Sequence, residues 1–209
     1  MKISMLKNIL CMPILLLILM SVSSANATII ETFTSESHFT SQLVDYDLYN
    51  FDDFQVNTLI STEVEGITFA NAIVYPGCCG GTSKSGANVL LNKDFVNPIQ
   101  INFDSLVFSI GLSNTSLADA EQLSIYDSND LLLESIYLRS GVVNFGGFIS
   151  NVGISRVEIK PAAPTNGTIY IDDLIVGHSG TTSVPEPPTI ILFMLLLIFI
   201  FTFRKLKAK

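Results

Sequence analysis

The sequence predicts an all-β chain: an antiparallel, jelly-roll-like β-sandwich set between an N-terminal signal helix and a C-terminal transmembrane helix. Three observations predict it. Hydrophobicity along the body alternates with a period of two, and turn-forming clusters recur about every eight to twelve residues. In the body only Ser35 to Leu43 has helical spacing, with Phe39 and Leu43 on one face. Both ends of the chain are oily rods flanked by cations, which sets them apart from the body.

The N-terminal segment, 1–27, has the plan of a secretory signal peptide. Lys2 and Lys7 precede the apolar run Ile14 to Met20, and Ala25 and Ala27 frame a small-x-small cleavage site for signal peptidase. Cys11 precedes the end of the apolar core, too early for a lipoprotein cleavage point.

The body, 28–177, reads as one β-sandwich domain of about 155 residues with its linker, enough for a single core. Its elements follow in order. Gly66 to Tyr75 and Asn88 to Asn92 alternate as strands. Ile99 to Leu112 reads as two short strands around a turn at Asp104-Ser105. Glu121 to Leu138 reads as two more around Asp127-Ser128-Asn129-Asp130. Phe145 to Ser150, Ile154 to Lys160 and Thr168 to Val176 complete a set of about eight to ten strands. Residues 178–188 are small, polar and proline-containing, hence a linker.

Residues 189–203 are apolar all round and predict a short transmembrane helix of about 22 Å, against a hydrocarbon core of about 30 Å. The basic tail, 204–209, begins with Arg204 and Lys205, which can snorkel to the interface and would stay cytoplasmic while the body is exported.

Charge excludes one class of partner. With the two end segments set aside, 5 basic and 18 acidic residues remain between Thr28 and Ser183, a formal charge of −13. Such a surface repels phosphate backbones, so nucleic acid is excluded as a partner; it suits divalent cations and neutral polymers.

Catalytic motifs are absent from the sequence. His38 and His178 are the only histidines, and Gly81 to Gly86 matches neither a nucleophile elbow nor a phosphate loop. No histidine is expected beside Cys78 or Cys79 to activate a thiol. The expectation is a non-enzyme, with a glycoside hydrolase as the least favoured alternative because linear order hides the spacing of carboxylates.

Two clusters stand out. Asp52-Asp53 and Asp172-Asp173 are adjacent carboxylate pairs in strand-like sequence, and a structural Ca²⁺ would offset their repulsion. The plainer alternative is that Asp172 and Asp173 bond nearby backbone N–H groups. In the second cluster, Cys78 and Cys79 are each other's only partner once Cys11 is removed. Adjacent Cα atoms lie about 3.8 Å apart, below the usual disulfide range of roughly 4.4–6.8 Å, so a bond between them would be strained. Gly77, Gly80 and Gly81 supply backbone freedom. An oxidised ring stacking on a sugar, a flexible dithiol loop and an intermolecular bridge all remain open.

The C-terminal segment, with Val184, Pro185, Glu186 and Pro187 ahead of an apolar helix and a basic end, resembles the PEP-CTERM sorting signal of bacterial surface proteins. That resemblance implies processing by exosortase, with Pro185, Pro187 and Pro188 holding Glu186 in extended backbone at the outer membrane face. The body also resembles the β-sandwich domains that often accompany this signal, through Glu36 to Leu43, Tyr49 to Phe54, Thr62 to Asn71, Val107 to Leu112 and Ile169 to Val176, and its closing strand is similar to the last strand of galactose-binding-like and MAM-type jelly rolls. This second resemblance implies Asp172 as a Ca²⁺ ligand.

The leading expectation is therefore a non-enzymatic surface or extracellular-matrix protein, held first at the inner membrane and then released to the cell surface or matrix. The alternative is a carbohydrate-binding module for exopolysaccharide. With no Trp in the chain, its platform would come from Tyr46, Tyr49, Tyr75 and Tyr126.

Overall fold

A computed structural model describes residues 28–162 and 167–178. They form an antiparallel β-sandwich of eleven strands and one short helix. In chain order these are β1 (Ile30–Phe33), α1 (Glu36–Ser41), β2 (Tyr46–Tyr49), β3 (Leu59–Ile60), β4 (Ile67–Ala70), β5 (Ala72–Pro76), β6 (Asn88–Asn92), β7 (Ile99–Asn114), β8 (Glu121–Tyr126), β9 (Leu132–Leu138), β10 (Asn144–Pro161) and β11 (Tyr170–Gly177).

Two long strands join the layers. The sequence places a turn at Asp104-Ser105 and a break after Ser150, yet β7 and β10 each run on as one strand of 16 and 18 residues. The register between them shifts twice, between Ile149 and Ile154 and between Ile154 and Arg156, and such bulges bend a strand and raise its twist. One half of each strand lies in the first layer and the other half in the second.

The first layer orders β1, β10, β7 and β11 side by side. The far edge of β11 is shared by β2 and β6, and β5 and β3 follow β6. The second layer orders β4, β7, β10, β8 and β9. Gly66 to Tyr75, expected as one element, is divided into β4 and β5 by Asn71, which turns the chain with a φ of 60°. Its side-chain amide is tied to the carbonyl of Asn97 at 2.7 Å.

Alternation fills the space between the layers. Ile110, Leu112, Phe148, Ile171 and Leu174 from the first layer meet Ile67, Phe69, Ile101, Leu123, Ile125 and Val157 from the second, all buried. Each such side chain contributes about 1.5–3 kcal/mol by leaving water.

The outer face of the first layer is covered too. Helix α1, N-capped by Ser35, lays Phe39 against Phe33, Phe145, Ile149 and Ile175. The glycines beneath make the seat: a Cβ at Gly111 would stand 2.5 Å from the Phe145 ring and 2.9 Å from that of Phe39. Beside the helix, the loop after β5 folds over Val89, Leu91 and Tyr170. A Cβ at Gly81 would meet the Tyr170 ring at 2.5 Å, so only glycine lets the backbone lie so close.

Candidate functional site: the open face of the second sheet

Among the described residues, the outer face of the second layer has no such cover. The alternation that buries Ile101, Val157 and Ile125 turns their neighbours outward in three cross-strand rows. In one row Thr68, Asn102, Arg156, Tyr126 and Leu132 follow one another across β4, β7, β10, β8 and β9. In the next lie Ala70, Gln100, Glu158, Ser124 and Ser135. The third places Lys160, Gln122 and Tyr137 together.

The polar groups of this face are ordered among themselves. The Arg156 guanidinium lies 3.7 Å from the centroid of the Tyr126 ring, a cation–π stack. Its Nε donates to Asp130 at 2.9 Å and its other arm pairs with Glu158 at 3.2 Å. Lys160 stands 4.0 Å from the same carboxylate. Two of the body's five cations thus sit here, balanced by Asp130 and Glu158. Tyr137 is 69% exposed and holds its ring free beside Gln122 and Lys160. The arrangement can hydrogen-bond hydroxyls over a flat area and stack on a sugar ring. Its two carboxylates, Asp130 and Glu158, both pair with Arg156, and Glu158 also lies near Lys160.

Of the tyrosines expected to form a platform, only Tyr126 reaches this face. Tyr75 packs edge-on against Tyr170 at 6.5 Å, and Tyr46 and Tyr49 lie on β2 at the border of the other layer. Tyr137, which the sequence reading did not single out, was marked only by alternation with buried Leu138 and half-buried Ile136 in β9.

Of the four aspartates expected to hold Ca²⁺, Asp52, Asp172 and Asp173 bond the covering loop. A bulge in β11 sets Asp172 opposite Ser113 and Ile175 opposite Gly111, with Asp173 in left-handed backbone at a φ of 49°. In a regular strand one of two adjacent aspartates would enter the core; the bulge turns both toward the covering loop. Asp172 Oδ2 accepts the N–H groups of Lys84 at 2.8 Å and Ser85 at 3.1 Å. Asp173 accepts from the Ser85 hydroxyl and pairs with the Lys84 ammonium at 2.8 Å. Lys84 also pairs with Glu36 on α1. Burial raises the pKa of Asp172 above its ordinary value, partly offset by the loop N–H groups. Asp52 Oδ1 accepts from Ala87 and Asn88, and its neighbour Asp53 is exposed.

Among the described residues, no three of His, Cys, Asp or Glu are placed to hold one metal ion. The repulsion between Asp172 and Asp173 is offset by Lys84 and by loop amides, the backbone N–H groups going to Asp172 and the Lys84 ammonium to Asp173.

Cys78 and Cys79 lie at the outer turn of that loop as free thiols, one half-buried and one exposed. The signal-cleavage residues Ala25 and Ala27 lie outside the described residues. So do Val184, Pro185, Glu186, Pro187, Arg204 and Lys205, together with the segment 189–203 expected as a membrane helix.

No protein-family model and no curated protein matches the sequence. Solved structures do. A family 29 carbohydrate-binding module shares 13% identity over 70% of this chain and 98% of its own, with a TM-score of 0.39. A variant of one such module complexed with cellulohexaose shares 15% identity over 69% of this chain and 99% of its own, at a TM-score of 0.40. A variant complexed with mannohexaose shares 13% over 68% and 98%, at 0.42. The chain has the architecture of a β-sandwich domain.

At these identities the likeness is one of fold. The matches are carbohydrate-binding modules, and the leading sequence reading, a sorted surface or matrix protein, is corrected to its alternative, which is taken up below as a proposal.

Proposed function

We propose that this chain is a carbohydrate-binding domain whose ligand lies across the open face of the second sheet. One observation carries the reading. The outer face of the first layer is covered by α1 and by the loop at 77–87, while no other described segment covers the three largely polar rows of the second layer, with Tyr126 and Tyr137 among them. Arg156 and Lys160 are neutralised locally by Asp130 and Glu158, and the rest of the body is strongly acidic. The ligand is therefore an uncharged polysaccharide, held by its hydroxyls and ring faces. An extracellular location, implied by segment 1–27, would bring the face to such a polymer.

The experiment is calorimetric titration of the full chain with cellohexaose and mannohexaose, repeated with Tyr137→Ala and Arg156→Ala. Saturable binding of either sugar, weakened by both substitutions, supports the reading. Absence of binding to both sugars, or binding indifferent to both substitutions, overturns it.

A further inference from the structure

We propose that Cys78 and Cys79 are a modification site at which a vicinal disulfide forms by exchange with a disulfide oxidant. The inference rests on the loop's geometry and is independent of sugar binding.

In extended backbone two adjacent side chains point to opposite faces, and their sulfurs would lie apart. Here Cys79 takes a φ of 63°, and the two Sγ atoms meet at 2.8 Å. A non-glycine residue in this region is strained and persists only where its surroundings impose it. The surroundings here are specific. Gly77 donates to Ala87 at 2.8 Å, Thr82 to Thr115 at 3.1 Å, and Leu117 to Gly80 at 2.8 Å, while Gly81 is pressed on the Tyr170 ring. Asp172 fixes the loop two residues beyond Thr82, through Lys84 and Ser85. The loop is thus clamped on both sides of the pair, and the thiols face each other because the backbone is held.

The chemistry balances with a small disulfide, RSSR, as oxidant. Cys79 is the exposed thiol, so its thiolate attacks one sulfur of RSSR, forms a mixed disulfide and expels a thiolate. Cys78, half-buried against it, then loses its proton and attacks the Cys79 sulfur, expelling the second thiolate. Two electrons and two protons pass from the protein to RSSR, which leaves as two RSH.

The test uses the full reduced chain, incubated with oxidised glutathione, then blocked with a maleimide and mapped by peptide mass. The peptide carrying residues 78 and 79 is expected to lose two hydrogens and take no maleimide until a reductant is added. Cys78→Ser is expected to stop at a glutathione adduct on Cys79. A wild-type peptide that retains two maleimides, keeps a glutathione adduct, or appears cross-linked to a second chain would overturn the proposal. Peptide mapping keeps Cys11 from being mistaken for the pair.

Discussion

Asp172 and Asp52 grip one loop from two sides: Asp172 accepts the amides of Lys84 and Ser85, and Asp52 those of Ala87 and Asn88. Each carboxylate replaces water for two amides that would otherwise be unpaired as the loop crosses the sheet. Asp172→Ala is expected to cost about 2 kcal/mol, or about 4–8 °C in Tm for a chain of this size. Hydrogen exchange should quicken first at Lys84 and Ser85. Because Asp52 anchors the same segment, Asp52→Ala and Asp172→Ala together are expected to cost less than the sum of their separate effects. Additive losses would show that the two ends of the loop are held independently.

A second prediction concerns pH. Glu121 is fully buried, with Oε1 accepting the Tyr170 N–H at 3.0 Å and Oε2 without a partner among the described residues. Burial raises its pKa well above 4.5, the Tyr170 amide opposing this only in part. An acid whose folded pKa exceeds its unfolded one contributes stability that is fully present below the unfolded value and is lost as pH rises through the folded one. Glu121→Gln keeps the acceptor and stays neutral at every pH. Its Tm should match that of the wild type near pH 4 and exceed it at about pH 8. Parallel melting curves for the two proteins across that window would contradict a buried neutral carboxyl. Asp94 and Asp127, held low by turn amides and the Asn97 side chain, act in the opposite sense at lower pH and are common to both proteins.

Alternation made Ile101, Ile125 and Val157 legible as core, and Phe39 as the buried face of the single helix. Long-range effects were not legible. Asp104-Ser105 carries turn chemistry, yet pairing of β7 with both β4 and β10 carries the strand through it. The Asp172-Asp173 pair was visible as an anomaly, but its explanation needs a bulge and a lysine 88 residues away in sequence. Tyr137 and Arg156 were unremarkable in the chain. They became a site only when strand order showed which of two outer faces stays open.

The helix seat gives a third prediction. Gly111 clears the space that Phe39 and Phe145 fill, their rings 5.3 Å apart. Gly111→Ala would push a Cβ into both rings, on strand β7 where the backbone has little room to move. The expected cost is about 1–3 kcal/mol, visible as a lower Tm with unchanged far-ultraviolet strand signal. Phe39→Ala should cost more, about 3–5 kcal/mol, by leaving a cavity. If the glycine substitution were neutral, α1 would not be packed as described.

The last prediction separates stacking from charge on the open face. If the ligand is an uncharged polysaccharide, its affinity should hardly change between about 0.05 M and about 0.5 M salt, because screening acts on charges and not on ring contacts. Tyr137→Ala should weaken binding about tenfold, since an exposed ring contributes of order 1–1.5 kcal/mol by stacking. Tyr137→Phe should retain most of it, because the ring face remains. Arg156→Ala has two effects: it removes a donor and uncovers Tyr126, whose ring it masks at 3.7 Å. The loss should therefore be partial and accompanied by altered preference between cellohexaose and mannohexaose, as a newly open ring offers a second stacking surface. Titration of the wild type and these variants at both salt concentrations reads all of this out. A steep fall in affinity with salt would instead mean that Arg156 and Lys160 bind an acidic polymer, and the neutral-polysaccharide assignment would fail.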